Sequence, residues 1–256
     1  MFIEKKPQVF AMGPSVKLTF YLIGACILVY FYEMYINFTE GLSSVLNLFT
    51  EYGFSTVGIL AGQYWTFITS IFIHAGPEHL ILNMLALFFF GRVVEESIGW
   101  RKTLLVFLGG GVIGNLAVFG SSFLGIMPMD IPTVGASGAI FCLMGMAMLI
   151  KPLEFVFYPY IVPVPLILVA VLYTLFNIGD FIAVLLTGNE TTVAYISHIG
   201  GLFLGMFLGF KQEGSKKGLQ VLLLILLVLV IVPLIWEFIQ YLEMTNYISL
   251  LTQAFS

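Results

Sequence analysis

All ten lysines and arginines of this chain fall at the ends of apolar segments, and one threading puts them all on the same side of a membrane. Window reading finds seven such segments, about Leu18–Ile36, His79–Ile98, Thr103–Leu124, Ala136–Ile150, Val162–Leu186, Ala194–Phe210 and Leu219–Phe238. Only 9% of residues are charged and 60% are hydrophobic, where a soluble domain carries roughly 25% charge. With the N-terminus inside, Lys5, Lys6, Lys17, Arg92, Arg101, Lys102, Lys151, Lys211, Lys216 and Lys217 all become cytoplasmic. The outer connections hold Glu40, Glu51, Glu78, Asp130, Asp180 and Glu190 instead. Basic residues favour the cytoplasmic side, so the sorting predicts N-terminus in and C-terminus out. A lone strand cannot satisfy its backbone in lipid, which makes helices the expected element. The chain is therefore read as all-α, a polytopic membrane helical bundle. The first segment carries no cleavage signature and is expected to remain as an anchor.

The segment Asn37–Glu78 has apolar stretches, Tyr64 and Trp65, and no basic residue. It is expected to lie partly in the interface, where aromatic rings prefer to sit. Cys26 and Cys142 lie inside apolar runs and read as small packing residues.

Polar groups inside a membrane bundle are functional candidates. His79 stands thirteen residues from Arg92, Ser137 fourteen from Lys151, and His198 thirteen from Lys211. At about 1.5 Å per residue each lies ~20 Å from the basic end of its helix. In a hydrocarbon core of ~30 Å this is one layer, ~10 Å below the outer surface. Asn83 follows His79 by one turn and shares its face. Gly138, Cys142 and Gly145 form one small-residue stripe, and Gly201, Gly205 and Gly209 another. Such stripes let membrane helices approach closely. Ser137 and His198 stand beside them, so a serine–histidine pair within hydrogen-bond reach is predicted. The Ser137 backbone N–H opens a helix, where N–H groups are unpaired and the dipole favours negative charge. Asn83 and His79 can add side-chain donors for an oxyanion.

Each residue also has a plainer reading. Ser137 alone could be packing, His198 a buried hydrogen-bonding histidine, and His79 with Asn83 a helix cap. His74 reads as structural or interfacial. Asn115, Asn177 and Asp180 read as interhelical hydrogen bonds or caps. Glu33, near the outer end of the first helix, is expected to reach water.

Together the motifs "HAGPEHLILNM" (74–84), "GASG" (135–138) and "SHIGGLFLGMFLG" (197–209) resemble the rhomboid intramembrane serine proteases. The resemblance covers about Gln63–Phe210. It implies a six-helix core over residues 1–214 and one additional C-terminal transmembrane helix within 215–256. It implies Ser137 as nucleophile and His198 as general base, a dyad without an acid. His79, Asn83 and the Ser137 amide would form the oxyanion hole. The substrates would be single-span transmembrane proteins cleaved near the outer face, with access beside the fifth helix. No metal, organic cofactor or nucleic acid is implied. A prokaryotic cell membrane is the expected location, with the active site open to the outer side.

Three positions depart from the family pattern. Thr66 follows Trp65 where relatives often have arginine, which bears on anchoring of the outer loop. Phe141 replaces a tyrosine that stacks on the base, and Ser197 replaces an alanine before it. Other protease chemistries fit poorly. "HAGPEH" lacks the zinc-binding His-Glu-x-x-His spacing, and the two aspartates of the chain, Asp130 and Asp180, both sit at outer ends. A transporter would suit a polar layer, but no inverted repeat is visible. The competing class is an inactive rhomboid-like binding protein. Such relatives usually lose the serine or the histidine, and here both are present.

Overall fold

The computed structural model describes residues 16–157, 163–187, 195–214 and 218–221, together with 223 and 227. Most of the predicted seventh segment, Lys5, Lys6, Lys216, Lys217, Glu190 and the side chain of Asp180 lie outside the described residues. Helices dominate: α1 (Leu18–Glu40), α2 (Leu42–Tyr52), α3 (Thr56–Leu60), α4 (Thr66–Thr69), α5 (Pro77–Ala86), α6 (Arg92–Ile98), α7 (Trp100–Phe123), α8 (Ser137–Ile150), α9 (Leu166–Thr187) and α10 (Tyr195–Glu213). A π-helical turn, Leu87–Gly91, joins α5 to α6 without a break. The predicted all-α class gains one short antiparallel pair, β1 (Phe155–Phe157) with β2 (Pro163–Pro165). Proline has no N–H to give a ladder and suits a terminal position, so Pro163 and Pro165 end in this ribbon rather than in the fifth helix.

α8 is the axis of the bundle. Every residue from Gly138 to Ile150 is buried. Its 14 residues reach only about 21 Å, short of a ~30 Å hydrocarbon core. Around it the outer helices present apolar side chains outward. Phe20, Tyr21, Leu28, Phe31 and Tyr35 on α1, Leu105 on α7, and Phe203 and Phe207 on α10 are all exposed. Such a band would associate in water, whereas acyl chains solvate it. α1 and α7 are each long and apolar enough to cross a bilayer.

Lys17, Arg92 and Lys151 come together around two neighbouring glutamates. Glu95 on α6 accepts the backbone N–H groups of Lys17, Leu18 and Thr19 at 3.0, 2.9 and 2.8 Å, and the Thr19 hydroxyl at 2.7 Å. These N–H groups are among those a helix start leaves unpaired, so one buried carboxylate caps the start of α1. Next to it Glu96 meets Arg92 at 2.8 Å and Lys151 at 3.7 Å.

Glu33 corrects the sequence reading. It is buried rather than water-exposed, and its Oε1 accepts the backbone N–H of His74 at 3.2 Å. The segment between α1 and α5 is helical and tied down without the family's arginine. Thr66 is fully buried and donates to the Gln63 carbonyl at 2.8 Å. Phe54 pairs with Thr133 through two backbone bonds of 2.9 and 2.7 Å. The Thr56 hydroxyl donates to Ser122 Oγ at 2.8 Å.

Candidate active site

The site is built where α8, α9 and α10 meet. Ser137 is the first residue of α8, preceded by Ala136 at the cap. His198 lies in the first turn of α10. Their approach follows from glycine. A Cβ on Gly201 would overlap the Gly138 carbonyl, and one on Gly205 would overlap the carbonyl of Cys142. Backbone thus touches backbone along the two predicted stripes. Ser197, the departure from alanine, fits because Gly114 and Gly138 both leave room for its hydroxyl. That α7 joins the seam through Gly110 and Gly114 was not read from the sequence, although its run "GGGVIG" carries the same small-residue signal.

The result is a short contact: Ser137 Oγ and His198 Nε2 are 2.7 Å apart. The imidazole is buried. Phe141 stacks on it with centroids 4.4 Å apart and planes 8° from parallel, so phenylalanine fills the place of the expected tyrosine. Tyr173 of α9 continues the stack on Phe141 at 5.2 Å. Tyr195 meets the histidine edge-on at 6.2 Å. The other ring nitrogen, Nδ1, lies 2.5 Å from Asn177 Oδ1 on α9. The sequence reading of Asn177, an interhelical hydrogen bond or a cap, named no partner.

The second group of candidates reaches the site from α5. Gly135 holds φ +125°, a conformation L side chains rarely adopt, and a Cβ there would lie 2.7 Å from the His79 ring. The absence of that Cβ lets His79 pack two residues before Ser137. Asn83 is buried one turn below, with Nδ2 donating to the His79 carbonyl at 2.8 Å. An amide nitrogen has two hydrogens, so the second stays available.

The loop before Ser137 is held from behind. Gly135 N–H donates to the Ser70 carbonyl at 2.8 Å. Asn115 of α7 donates to Ser70 Oγ at 3.0 Å and to the Phe67 carbonyl at 3.2 Å, the interhelical role expected of it. His74 is structural: fully buried, its Nδ1 bonded to the Phe72 carbonyl at 3.2 Å and its ring 5.2 Å from that of His79. Burial, and then the neighbouring His79, push its pKa down to about 4.

Chemically, a hydroxyl beside an imidazole, at a helix start, with further donors one loop away, suits nucleophilic attack on a carbonyl. The comparisons with known proteins agree in kind. The Rhomboid domain family model matches residues 61–214. Rhomboid protease GluP of Bacillus subtilis is 30% identical over 218 residues, 83% of this chain and 39% of that protein. Rhomboid protease AarA of Providencia stuartii is 29% identical over 218 residues, 81% of this chain and 76% of that protein. RHOMBOID-like protein 6, mitochondrial, of Arabidopsis thaliana is 34% identical over 154 residues, 59% of this chain and 45% of that protein. The alignments span less than half of the length of two of these relatives.

Proposed function

Because the chain belongs to the rhomboid family of integral membrane proteins, in general intramembrane serine proteases, we propose that it is a serine endopeptidase with Ser137 as nucleophile and His198 as base. The 2.7 Å approach of Ser137 Oγ to His198 Nε2 carries this reading. Nε2 takes the hydroxyl proton as Oγ bonds to the carbonyl carbon of the scissile amide. The carbonyl oxygen becomes an oxyanion, and the Ser137 N–H, the free Asn83 N–H and His79 donate to it. On collapse, the proton on Nε2 passes to the departing amine nitrogen. Water then attacks the acyl-enzyme by the same route, restoring Ser137 and releasing the acid.

The substrates in this reading are transmembrane proteins with a single span; an α8 of 14 residues, about 21 Å long, supports a nucleophile below a membrane surface. With the basic ends cytoplasmic, that surface is the outer one of a prokaryotic cell membrane. Residues 1–214 serve as the protease core and 215–256 add a further span.

The test is cleavage of a tagged single-span substrate by the purified protein in lipid, beside Ser137→Ala and His198→Ala. Cleavage lost in both supports the dyad. A product that appears equally with Ser137→Ala sinks it. A parent that neither cleaves nor reacts with a fluorophosphonate at Ser137 is an inactive binding relative.

A further inference from the structure

A neutral imidazole carries one N–H and one lone pair, and only one arrangement lets His198 act as a base on Ser137. Nε2 must hold the lone pair and Nδ1 the hydrogen. The Phe141 stack, 4.4 Å away and 8° from parallel, cannot make that choice. Turning the ring over about its Cβ–Cγ bond keeps the plane and exchanges the positions of nitrogen and carbon. A directional partner on Nδ1 is needed.

Asn177 is that partner, with Oδ1 2.5 Å from Nδ1. An amide oxygen and nitrogen have nearly the same shape, so the assignment must come from the hydrogen-bond network. Here Nδ2 donates to the Tyr173 carbonyl at 3.1 Å, one turn back on α9. A carbonyl only accepts, so the amide end facing Tyr173 is the nitrogen and the end facing His198 is the oxygen. That oxygen also only accepts, which obliges Nδ1 to donate. The polarity then runs one way, from the Ser137 hydroxyl to Nε2, and from Nδ1–H through Asn177 to a helix carbonyl. Asn177 and His198 are each 7% exposed, so bulk water competes little for these groups.

We propose that Asn177 is a positioning residue that completes a Ser137–His198–Asn177 triad, holding His198 with Nε2 turned to the serine. This rests on the reading of Ser137 and His198 as nucleophile and base. When Nε2 takes the serine proton the ring becomes a cation with a hydrogen on each nitrogen, and Oδ1 continues to accept from Nδ1. When Nε2 gives the proton to the leaving nitrogen, the same tautomer returns. The base rides on α10 and its orientation comes from α9, so the two helices must be docked together for the serine to be activated.

The experiment uses the full chain in liposomes, with Asn177→Leu, which keeps the volume and loses the acceptor, and Asn177→Asp, which keeps an acceptor. Both kcat and KM are read on a tagged single-span substrate, with the rate of fluorophosphonate labelling at Ser137. Asn177→Leu is expected to lower kcat about 10- to 100-fold, part of the ~10²–10⁴ a general base contributes. KM stays within about twofold, labelling slows in parallel, and Asn177→Asp restores most of the rate. If Asn177→Leu does not fold, Asn177→Ala is read in its place. Parental kcat in the acceptor-free variant overturns the proposal, as does an equal loss in Asn177→Asp. In either case a parent still labelled at Ser137 leaves the protease reading standing. A parent that is neither labelled nor active removes that reading, and the triad with it.

Discussion

Gly201 of α10 lies so close to the Gly138 carbonyl of α8 that no Cβ fits between them. This contact sets the reach of the site, because Ser137 precedes Gly138 and His198 precedes Gly201 by one turn. Carbonyl oxygens of a helix cannot swing aside as a side chain can. Gly201→Ala must therefore part the two helices, and overpacking of this kind costs about 1–3 kcal/mol. The expected outcome is a lowered unfolding midpoint in detergent and a rate of fluorophosphonate labelling at Ser137 reduced by at least ~10-fold, since displacement of about 1 Å can cost 10²-fold. A variant labelled at the parental rate would show that the 2.7 Å contact does not depend on the glycine seam.

The proposed oxyanion donors predict a different pattern. Asn83 has one amide hydrogen committed to the His79 carbonyl and a second to offer. Asn83→Ala removes it. The loss of one such donor is worth ~10²–10³-fold in kcat, with KM nearly unchanged because the charge develops only in the transition state. His79→Ala should lower kcat in the same sense. It also opens space against Gly135, so its effect on stability should exceed that of Asn83→Ala. Steady-state kinetics on the tagged substrate check the first expectation and detergent unfolding the second.

The meeting of Ser137 with His198 was legible in the sequence and rotation was not. Counting from Lys151 and Lys211 gave the two residues similar distances from the basic ends of their helices, and the structure brings them together. The glycine stripes named the faces of α8 and α10 that meet. The partner of Asn177 depends on how α9 is turned about its own axis, and one apolar segment with residues such as Phe176 and Leu172 exposed carries little record of that. The π-helical turn Leu87–Gly91 was likewise hidden. It changes the phase of the helix between Asn83 and Glu95, and the aromatic run "LFFFG" gives no sign of it. Glu33 misled for a related reason. A carboxylate near a helix end normally reaches water, and here the buried backbone N–H of His74 supplies a partner instead.

His74 gives the fold a pH dependence of definite sign. Its ring is buried, and its pKa falls from the ordinary 6.5 to about 4. The titratable groups that face it are Glu33, which accepts from its backbone N–H, and the His79 ring. The unfolded chain takes up a proton on this residue as pH falls through about 6.5, and the folded chain waits until about 4. Stability from this source is thus full above pH 7 and is lost between those two values. The integrated loss is about 3 kcal/mol at low pH. His74→Leu should remove this acid loss, so that from pH 7.5 to 4.5 the parent's unfolding midpoint in detergent falls relative to the variant's, and it should lower the midpoint at pH 7.5. An equal slope in the variant would assign the acid loss to other groups.

Glu95 makes the sharpest stability prediction outside the site. One buried carboxylate takes three backbone N–H groups and a hydroxyl from the start of α1. No other acceptor is available to those N–H groups within the helix itself. Glu95→Ala leaves them desolvated and unpaired, at about 1–3 kcal/mol for each group fully lost. Water entering from the nearby helix ends recovers part of this, so a net loss of about 3 kcal/mol is expected. Glu95→Gln should fare little better, because its amide end presents hydrogens to backbone hydrogens. Thr19→Val removes only the hydroxyl bond and should cost about 1 kcal/mol. The ordering Thr19→Val, then Glu95→Gln, then Glu95→Ala in unfolding midpoint checks the cap. Intact fluorophosphonate labelling of Ser137 in Thr19→Val would show that α1 anchors the bundle without touching the chemistry.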